Sequence, residues 1–190
     1  MMKLRIGYRW KNTTVLGPGR RFVIWVQGCR RRCYRCTAPE LQPEEGGAEV
    51  SCSDLAKEIL DTPQIDGITI SGGEPLLQAE ALTELLDIIL SQKPDLTVIL
   101  FTGFQIEEIT DEKSLRLLRQ IDLLIDGEYI DELNYDNIGL RGSENQRLIF
   151  LSDRLLSFQE ELTKGERKRE IHLLNPNELL TIGIATRQNN

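Results

Sequence analysis

Three cysteines carry the strongest chemical signal in this chain. Cys29, Cys33 and Cys36 fall within eight residues, in C-x3-C-x2-C spacing, immediately after an apolar β-branched run. Clustered thiols of this kind, in a chain expected to be cytoplasmic and reducing, speak for metal or redox chemistry over disulfides. Three thiolates from one loop can grip three irons of a cubane [4Fe–4S] cluster and leave the fourth iron free for a substrate. An electron-transfer cluster would instead use four thiolates. Cys52 is the rival for that fourth place. A zinc site built from all four cysteines is the other metal alternative, although structural zinc ligands more commonly come as two short-spaced pairs. The alternative for Cys52 alone is a small packing residue.

A second element strengthens the first. Ser71-Gly72-Gly73-Glu74-Pro75 closes the next clear strand. Its two glycines let backbone approach a ligand closely. Glu74 and the carbonyls at the sheet edge could hold an ammonium group. Taken alone, Gly-Gly after a strand is equally an ordinary tight turn. Thr102 and Asp126 end two later strands, where they could touch a ribose or a cation, or simply cap the strands. Residues 131–146 have no convincing periodicity, and a long irregular loop is often functional; Arg141, Ser143 and Asn145 are its candidates.

The elements that must position these residues alternate. Strands are expected over residues 21–27, 67–71, 96–102, 122–126 and 147–151, with an additional one over 4–10. Helices are expected over 53–60, from Glu74-Pro75 through Ile89, over 112–120 and over 153–163. Residues 170–174 and 178–184, flanking Asn175-Pro176-Asn177, suggest a terminal hairpin. His172, in that hairpin, reads as a surface strand residue and Trp25 as core. This alternation gives an α/β fold with right-handed crossovers, a partial, open β/α barrel of about five parallel strands followed by a C-terminal β-hairpin. We expect a single domain over 1–190, its core at about 17–151 and its C-terminal helix and hairpin at 153–186.

The chain has 190 residues, 40% of them apolar, and a formal net charge of −7. That charge argues against general nucleic-acid binding, and no apolar run is long enough for a membrane helix. Arginines 20, 21, 30, 31, 32 and 35 nevertheless crowd one stretch, forming either a solvated basic loop or a positive face around whatever the cysteines hold.

The three cysteines with Gly72-Gly73-Glu74-Pro75 resemble the radical S-adenosylmethionine superfamily. The resemblance narrows through Gly17-Pro18-Gly19-Arg20, Val26-Gln27-Gly28-Cys29, Phe101-Thr102-Gly103-Phe104, Leu124-Ile125-Asp126-Gly127 and Arg141-Gly142-Ser143-x-Asn145-Gln146, in this order. Together these are similar to the activating proteins of anaerobic ribonucleoside-triphosphate reductase, from about residue 17 to 149. It implies a [4Fe–4S] cluster on Cys29, Cys33 and Cys36, with S-adenosyl-L-methionine chelating the fourth iron and its amino group meeting Gly72, Gly73 and Glu74. Tyr34 and Arg35 are further cofactor-contact candidates. Arg35 stands where the superfamily is often aromatic and the activases small, and Thr37-Ala38 stands where the activases tend to carry Asn. The implied activity is reductive cleavage to a 5′-deoxyadenosyl radical that takes a hydrogen from a glycine of a glycyl-radical enzyme. A flavodoxin or ferredoxin, steered by the arginines, would be the electron donor. The alternatives are a radical enzyme acting on a small molecule or peptide, similar to 7-carboxy-7-deazaguanine synthase, and a non-enzymatic metal or electron-transfer module with four cysteine ligands.

Overall fold

The computed structural model describes residues 1–175 and 178–186; Pro176 and Asn177, in the expected hairpin turn, lie outside the described residues. A seven-stranded sheet runs in the order β3-β1-β2-β4-β5-β6-β7, from β3 (Ala48–Ser51) through β1 (Lys3–Thr13), β2 (Arg21–Val26), β4 (Gly67–Gly72), β5 (Thr97–Phe101) and β6 (Leu123–Asp126) to β7 (Arg147–Phe150). The sheet is open, with β3 and β7 at its edges.

Its centre is parallel. β2, β4, β5 and β6 pair in parallel, and β1, β3 and β7 pair antiparallel with their neighbours. The expectation of about five parallel strands is therefore corrected to four. The chain leaves β6 at residue 127 and returns as β7 at 147 without a crossover helix, so β7 runs back along β6. Parallel pairing needs such a crossover.

Helices α1 (Cys52–Asp61), α2 (Ala79–Leu90) and α3 (Glu112–Leu118) connect the parallel strands. Ser51 caps α1, its hydroxyl accepting from the Asp54 N–H at 3.1 Å. The apolar stripes Leu55, Ala56 and Ile59 on α1 and Leu82, Leu85, Leu86 and Ile89 on α2 are buried together against Ile24, Ile68, Ile70 and Leu100. This is the core-facing spacing the sequence displays. Two helices start differently from expectation. Pro75 opens a 3-10 turn, Pro75–Gln78, with α2 beginning at Ala79, and a 3-10 stretch, Asp153–Phe158, precedes α4 (Gln159–Lys164).

β8 (Glu170–Asn175) and β9 (Glu178–Ile182) form a separate antiparallel hairpin. It is rooted on the main body. Ile182 is fully buried, the His172 ring lies 4.4 Å from that of Trp10, and Glu170 accepts from the Thr14 N–H at 2.9 Å. No helix among the described residues is long and apolar enough to cross a membrane.

At the amino ends of the parallel strands sits Arg21, fully buried. It donates from Nε to Thr69 Oγ1 at 2.7 Å, from Nη1 to the Pro18 carbonyl and Thr97 Oγ1, and from Nη2 to the carbonyls of Ile68 and Thr97. Burial pushes its pKa down to about 9, with the nearby carboxylates of Asp122 and Asp66 pulling the other way. Arg21 thus belongs to the sheet's foundation and not to the basic face around the cysteines.

Candidate functional site

At the carboxyl ends of the same strands, β2 gives way at Gly28, whose φ of 98° suits glycine alone. The loop that follows is held by backbone bonds. The Gly28 N–H donates to the Leu41 carbonyl at 2.8 Å, Cys29 N–H to Gln42 O at 2.9 Å and Cys36 N–H to Cys33 O at 3.3 Å. Arg32 (φ 57°) and Arg35 (φ 51°) occupy the left-handed region, an uncommon conformation for side chains of this size. Strain of this kind is stored at functional loops.

Cys29, Cys33 and Cys36 are each partly buried and line one cavity of about 540 Å³, within the range of small-molecule sites. Burial pushes the Cys29 and Cys33 thiols up. Backbone N–H groups partly offset this, while nearby carboxylates and the neighbouring cysteines add to it. A positive metal centre reverses such a balance, because a coordinating thiol is deprotonated outright. Among the described residues, no three His, Cys, Asp or Glu side chains are gathered as ligands of a single ion. Three thiols from one loop lining a common cavity suit a polynuclear cluster. Cys52 stands elsewhere. It is fully buried in the core, its Sγ donating to the Ala81 carbonyl at 3.3 Å, and burial raises its pKa to about 11. It does not line the cavity, so this arrangement withholds the fourth cysteine that the zinc and electron-transfer readings required.

The facing wall is Ser71-Gly72-Gly73-Glu74. The Gly73 N–H donates to Val26 O at 2.8 Å and the Glu74 N–H to Gly28 O at 2.7 Å, tying this turn to the base of the cysteine loop. The approach is too close for a side chain, since a Cβ on Gly73 would lie 2.2 Å from the Gly28 carbonyl oxygen. Glu74 is 1% exposed. Its Oε1 accepts from the Leu76 N–H at 3.0 Å and the Thr102 hydroxyl at 2.8 Å, and its Oε2 from the Gly103 N–H at 2.8 Å. Burial raises the Glu74 pKa and these donors, helped by Arg31, pull it back. The carboxylate expected to hold an ammonium group is therefore also a brace between the ends of β4 and β5.

The other predicted residues divide. Thr102 lines the cavity beside Glu74. Asp126 is fully buried but turned to protein partners, accepting from the Ile106 N–H at 2.8 Å and from Nε and Nη2 of Arg147. Arg141 is a strut inside its loop, donating to the carbonyls of Ile138, Glu144 and Thr163. Ser143 Oγ accepts from the Ile130 N–H, and Asn145 Nδ2 donates to Glu128 O at 2.8 Å. None of these four lines the cavity; they shape the loop beside it. Tyr34 is 70% exposed. Arg35 lies 5.7 Å from the Tyr34 ring centroid and 3.5 Å from Asp131.

Two arms of the cavity escaped the sequence reading. Gln146 accepts at Oε1 from the N–H groups of Gly142 and Ser143, donates from Nε2 to Gly127 O at 2.8 Å, and lines the cavity. Its place in the Arg-Gly-Ser-x-Asn-Gln segment was the available signal. The hairpin contributes Leu174, Leu179, Leu180 and Thr181, for which no local signal exists. Arg31 also lines the cavity, stacked 4.2 Å from the Phe104 ring centroid and paired with Glu108 at 2.9 Å, its Nε buried without a hydrogen-bond partner among the described residues. With Arg30 on Glu44 and Arg35 near Asp131, much of the arginine stretch is paired with carboxylates.

The 4Fe-4S single cluster domain family matches residues 15–149. The chain is 33% identical over 139 residues to the anaerobic ribonucleoside-triphosphate reductase-activating protein of Enterobacteria phage T4, spanning 70% of this chain and 86% of that one. It is 34% identical over 118 residues to the pyruvate formate-lyase-activating enzyme of Listeria monocytogenes serovar 1/2a, spanning 59% of this chain and 48% of that one. The crystal structure of QueE from Escherichia coli overlaps 66% of this chain and 72% of that one, at a TM-score of 0.48 and 15% identity.

Proposed function

Because the chain belongs to the 4Fe-4S single cluster domain family of radical S-adenosylmethionine enzymes, we propose that its target is the radical-forming glycine of a glycyl-radical enzyme, with an anaerobic ribonucleoside-triphosphate reductase first among candidates. The enzyme uses a [4Fe–4S] cluster and S-adenosyl-L-methionine. When bound, the cluster supplies the electron that splits the sulfonium into methionine and a 5′-deoxyadenosyl radical; hard chemistry of this kind is the cofactor's own.

The chain's residues have other tasks. Cys29, Cys33 and Cys36 would hold the cluster, leaving one iron for the methionine end. Gly72 and Gly73 would let backbone carbonyls approach the amino group, with Glu74 fixing the turn through Thr102 and Gly103. Tyr34 and Arg35 would stand on the adenine side. The loop of residues 127–146, knit by Arg141, Ser143, Asn145 and Gln146, would wall the nucleoside, and Asp126 would anchor it through Arg147. Arg32, exposed beside the second cysteine, would leave a positive rim for an acidic donor such as a flavodoxin or ferredoxin. We read the chain as one domain on a partial β/α barrel, acting in the cytoplasm.

The observation that carries this reading is three thiols and the Gly-Gly-Glu turn converging on one cavity while the fourth cysteine is sealed in the core. The experiment is anaerobic reconstitution with iron and sulfide, then dithionite and S-adenosylmethionine, with and without the reductase. The expected products are 5′-deoxyadenosine and a glycyl radical by electron paramagnetic resonance. Deoxyadenosine without a glycyl radical would redirect the proposal to another substrate, and no deoxyadenosine at all would end it.

A further inference from the structure

We propose that the outer edge of β9 is a docking rail, on which an extended glycine-bearing segment of the protein substrate adds as a third strand and is so delivered to the thiol-lined cavity. The inference rests on the target being a protein glycine and adds how that glycine is brought in.

Three observations meet here. First, β9 pairs with β8 alone, and among the described residues no strand pairs with its other edge. An edge strand presents a row of backbone donors and acceptors to any extended chain. Second, this edge adjoins the site. Leu179, Leu180 and Thr181 of β9 line the cavity that holds the three cysteines, whereas β8 contributes only Leu174. Third, the edge is defended only at its turn end. Natural edges are blunted by charge, proline or bulges; here the charge of Glu178 and the register irregularity at Leu173/Asn175 stand at the turn end of the hairpin, and Leu179-Leu180-Thr181-Ile182 beyond them carries no charge or proline. Leu179 is 66% exposed, and Ile171 and Leu173 across the hairpin 70% and 69%.

The hairpin can serve as a rail because it is anchored. Ile182 is buried, and β8 is tied to β1 through Glu170 and the His172–Trp10 contact. It also lies outside residues 15–149, the part matched to the family, so it is available for matching one particular partner. The chemistry of the occupant follows. A glycine offers no side chain to recognise, so its segment is best held by its own backbone and by apolar neighbours at alternate positions. Strand addition supplies both.

The test uses the reconstituted full chain and a fluorescent synthetic peptide centred on the radical glycine of an anaerobic ribonucleoside-triphosphate reductase, followed by anisotropy. Peptides N-methylated at every second residue, in the two possible registers, are compared with the unmodified one. An added strand bonds its neighbour through alternate residues, so one register should bind at least about tenfold more weakly and the other almost normally. Thr181→Pro in the chain should weaken the unmodified peptide similarly. Equal behaviour of the two registers, or undiminished binding by a folded Thr181→Pro chain, overturns the proposal; if that variant fails to fold, the N-methyl series on the unaltered chain decides. A dimer broken by Thr181→Pro would give the edge to a second copy and also overturn it. If the unaltered chain forms 5′-deoxyadenosine while the registers do not differ, only the rail falls; if it forms none, the reading of the enzyme falls first.

Discussion

The two ends of the four parallel strands are built on opposite terms. At the amino end, Arg21 is a buried charge whose Nε, Nη1 and Nη2 all find oxygen acceptors on β4, β5 and the preceding loop. At the carboxyl end, the thiols are partly buried, two loop arginines sit in the left-handed region, and Arg31 Nε is buried without a hydrogen-bond partner among the described residues. One end is saturated and the other holds capacity in reserve. In parallel α/β folds the amino end commonly serves stability and the carboxyl end chemistry. Here the difference is visible in hydrogen bonds on the same four strands.

The contrast breaks most plainly if the reserve can be removed without consequence. Cys29→Ala, Cys33→Ala or Cys36→Ala should each abolish cluster retention and lower 5′-deoxyadenosine formation at least about 1,000-fold, as losing one member of a unit does, while the fold persists. Cys52→Ser should keep full iron content and weaken folding by about 1–2 kcal/mol, the effect of a buried hydroxyl. Iron and sulfide analysis beside urea denaturation separates the two. A Cys52 variant that lost its iron would return the fourth ligand to the picture.

The converse test is at the saturated end. Arg21→Met keeps much of the volume but strips donors from the oxygens of Thr97, Ile68 and Pro18. Unsatisfied buried groups lose about 1–3 kcal/mol each, and repacking recovers part, so a net loss of about 3–4 kcal/mol is expected. At a temperature where the variant remains folded, its cleavage of S-adenosylmethionine should match the parent's. A defect in cleavage larger than the unfolded fraction explains would mean that the two ends are coupled.

How much of this was readable beforehand depended on how local each signal is. The apolar stripe of α2 and the run through β2 depend on neighbours in the chain, and they emerged where expected. So did the three-cysteine loop and the turn facing it, because each is a few consecutive residues after a strand. What the sequence hid is long-range. β3 is a four-residue edge strand, Ala-Glu-Val-Ser, too short for its alternation to stand out. β7 looks like another parallel strand until its connection is known. Asp126 looks like a ligand until Arg147 is placed against it. The hairpin's position over the cavity follows from docking on Trp10 and Thr14, which no pattern within residues 170–182 announces.

A smaller perturbation probes the reserve itself. Gly73→Ala places a Cβ 2.2 Å from the Gly28 carbonyl oxygen, so the turn and the cysteine loop must separate. Overpacking of this kind typically destabilises by about 1–3 kcal/mol. Since the strain falls between the two walls, S-adenosylmethionine affinity, measured by equilibrium dialysis on the reconstituted protein, should fall more than tenfold while the stability loss stays near about 2 kcal/mol. Full affinity in the alanine variant would show that the walls need not touch.

The mildest test is of the brace. Thr102→Val removes the hydroxyl that donates to Glu74 Oε1 and accepts from the Phe104 N–H, with almost no change of shape. Burial already raises the Glu74 pKa and the Thr102 bond lowers it, so the substitution should raise it further. An acid whose folded-state pKa lies above its unfolded value contributes stability at low pH and loses it as pH rises through the folded value. The variant's deficit should accordingly be slight at about pH 4, below the ordinary glutamate value, and grow toward about 1 kcal/mol by about pH 8 as the carboxylate ionises and misses its donor. Urea denaturation of both proteins at the two pH values measures this directly. A deficit equal at both would assign the hydroxyl to the Phe104 turn alone, leaving the Leu76 and Gly103 N–H groups to hold Glu74 by themselves.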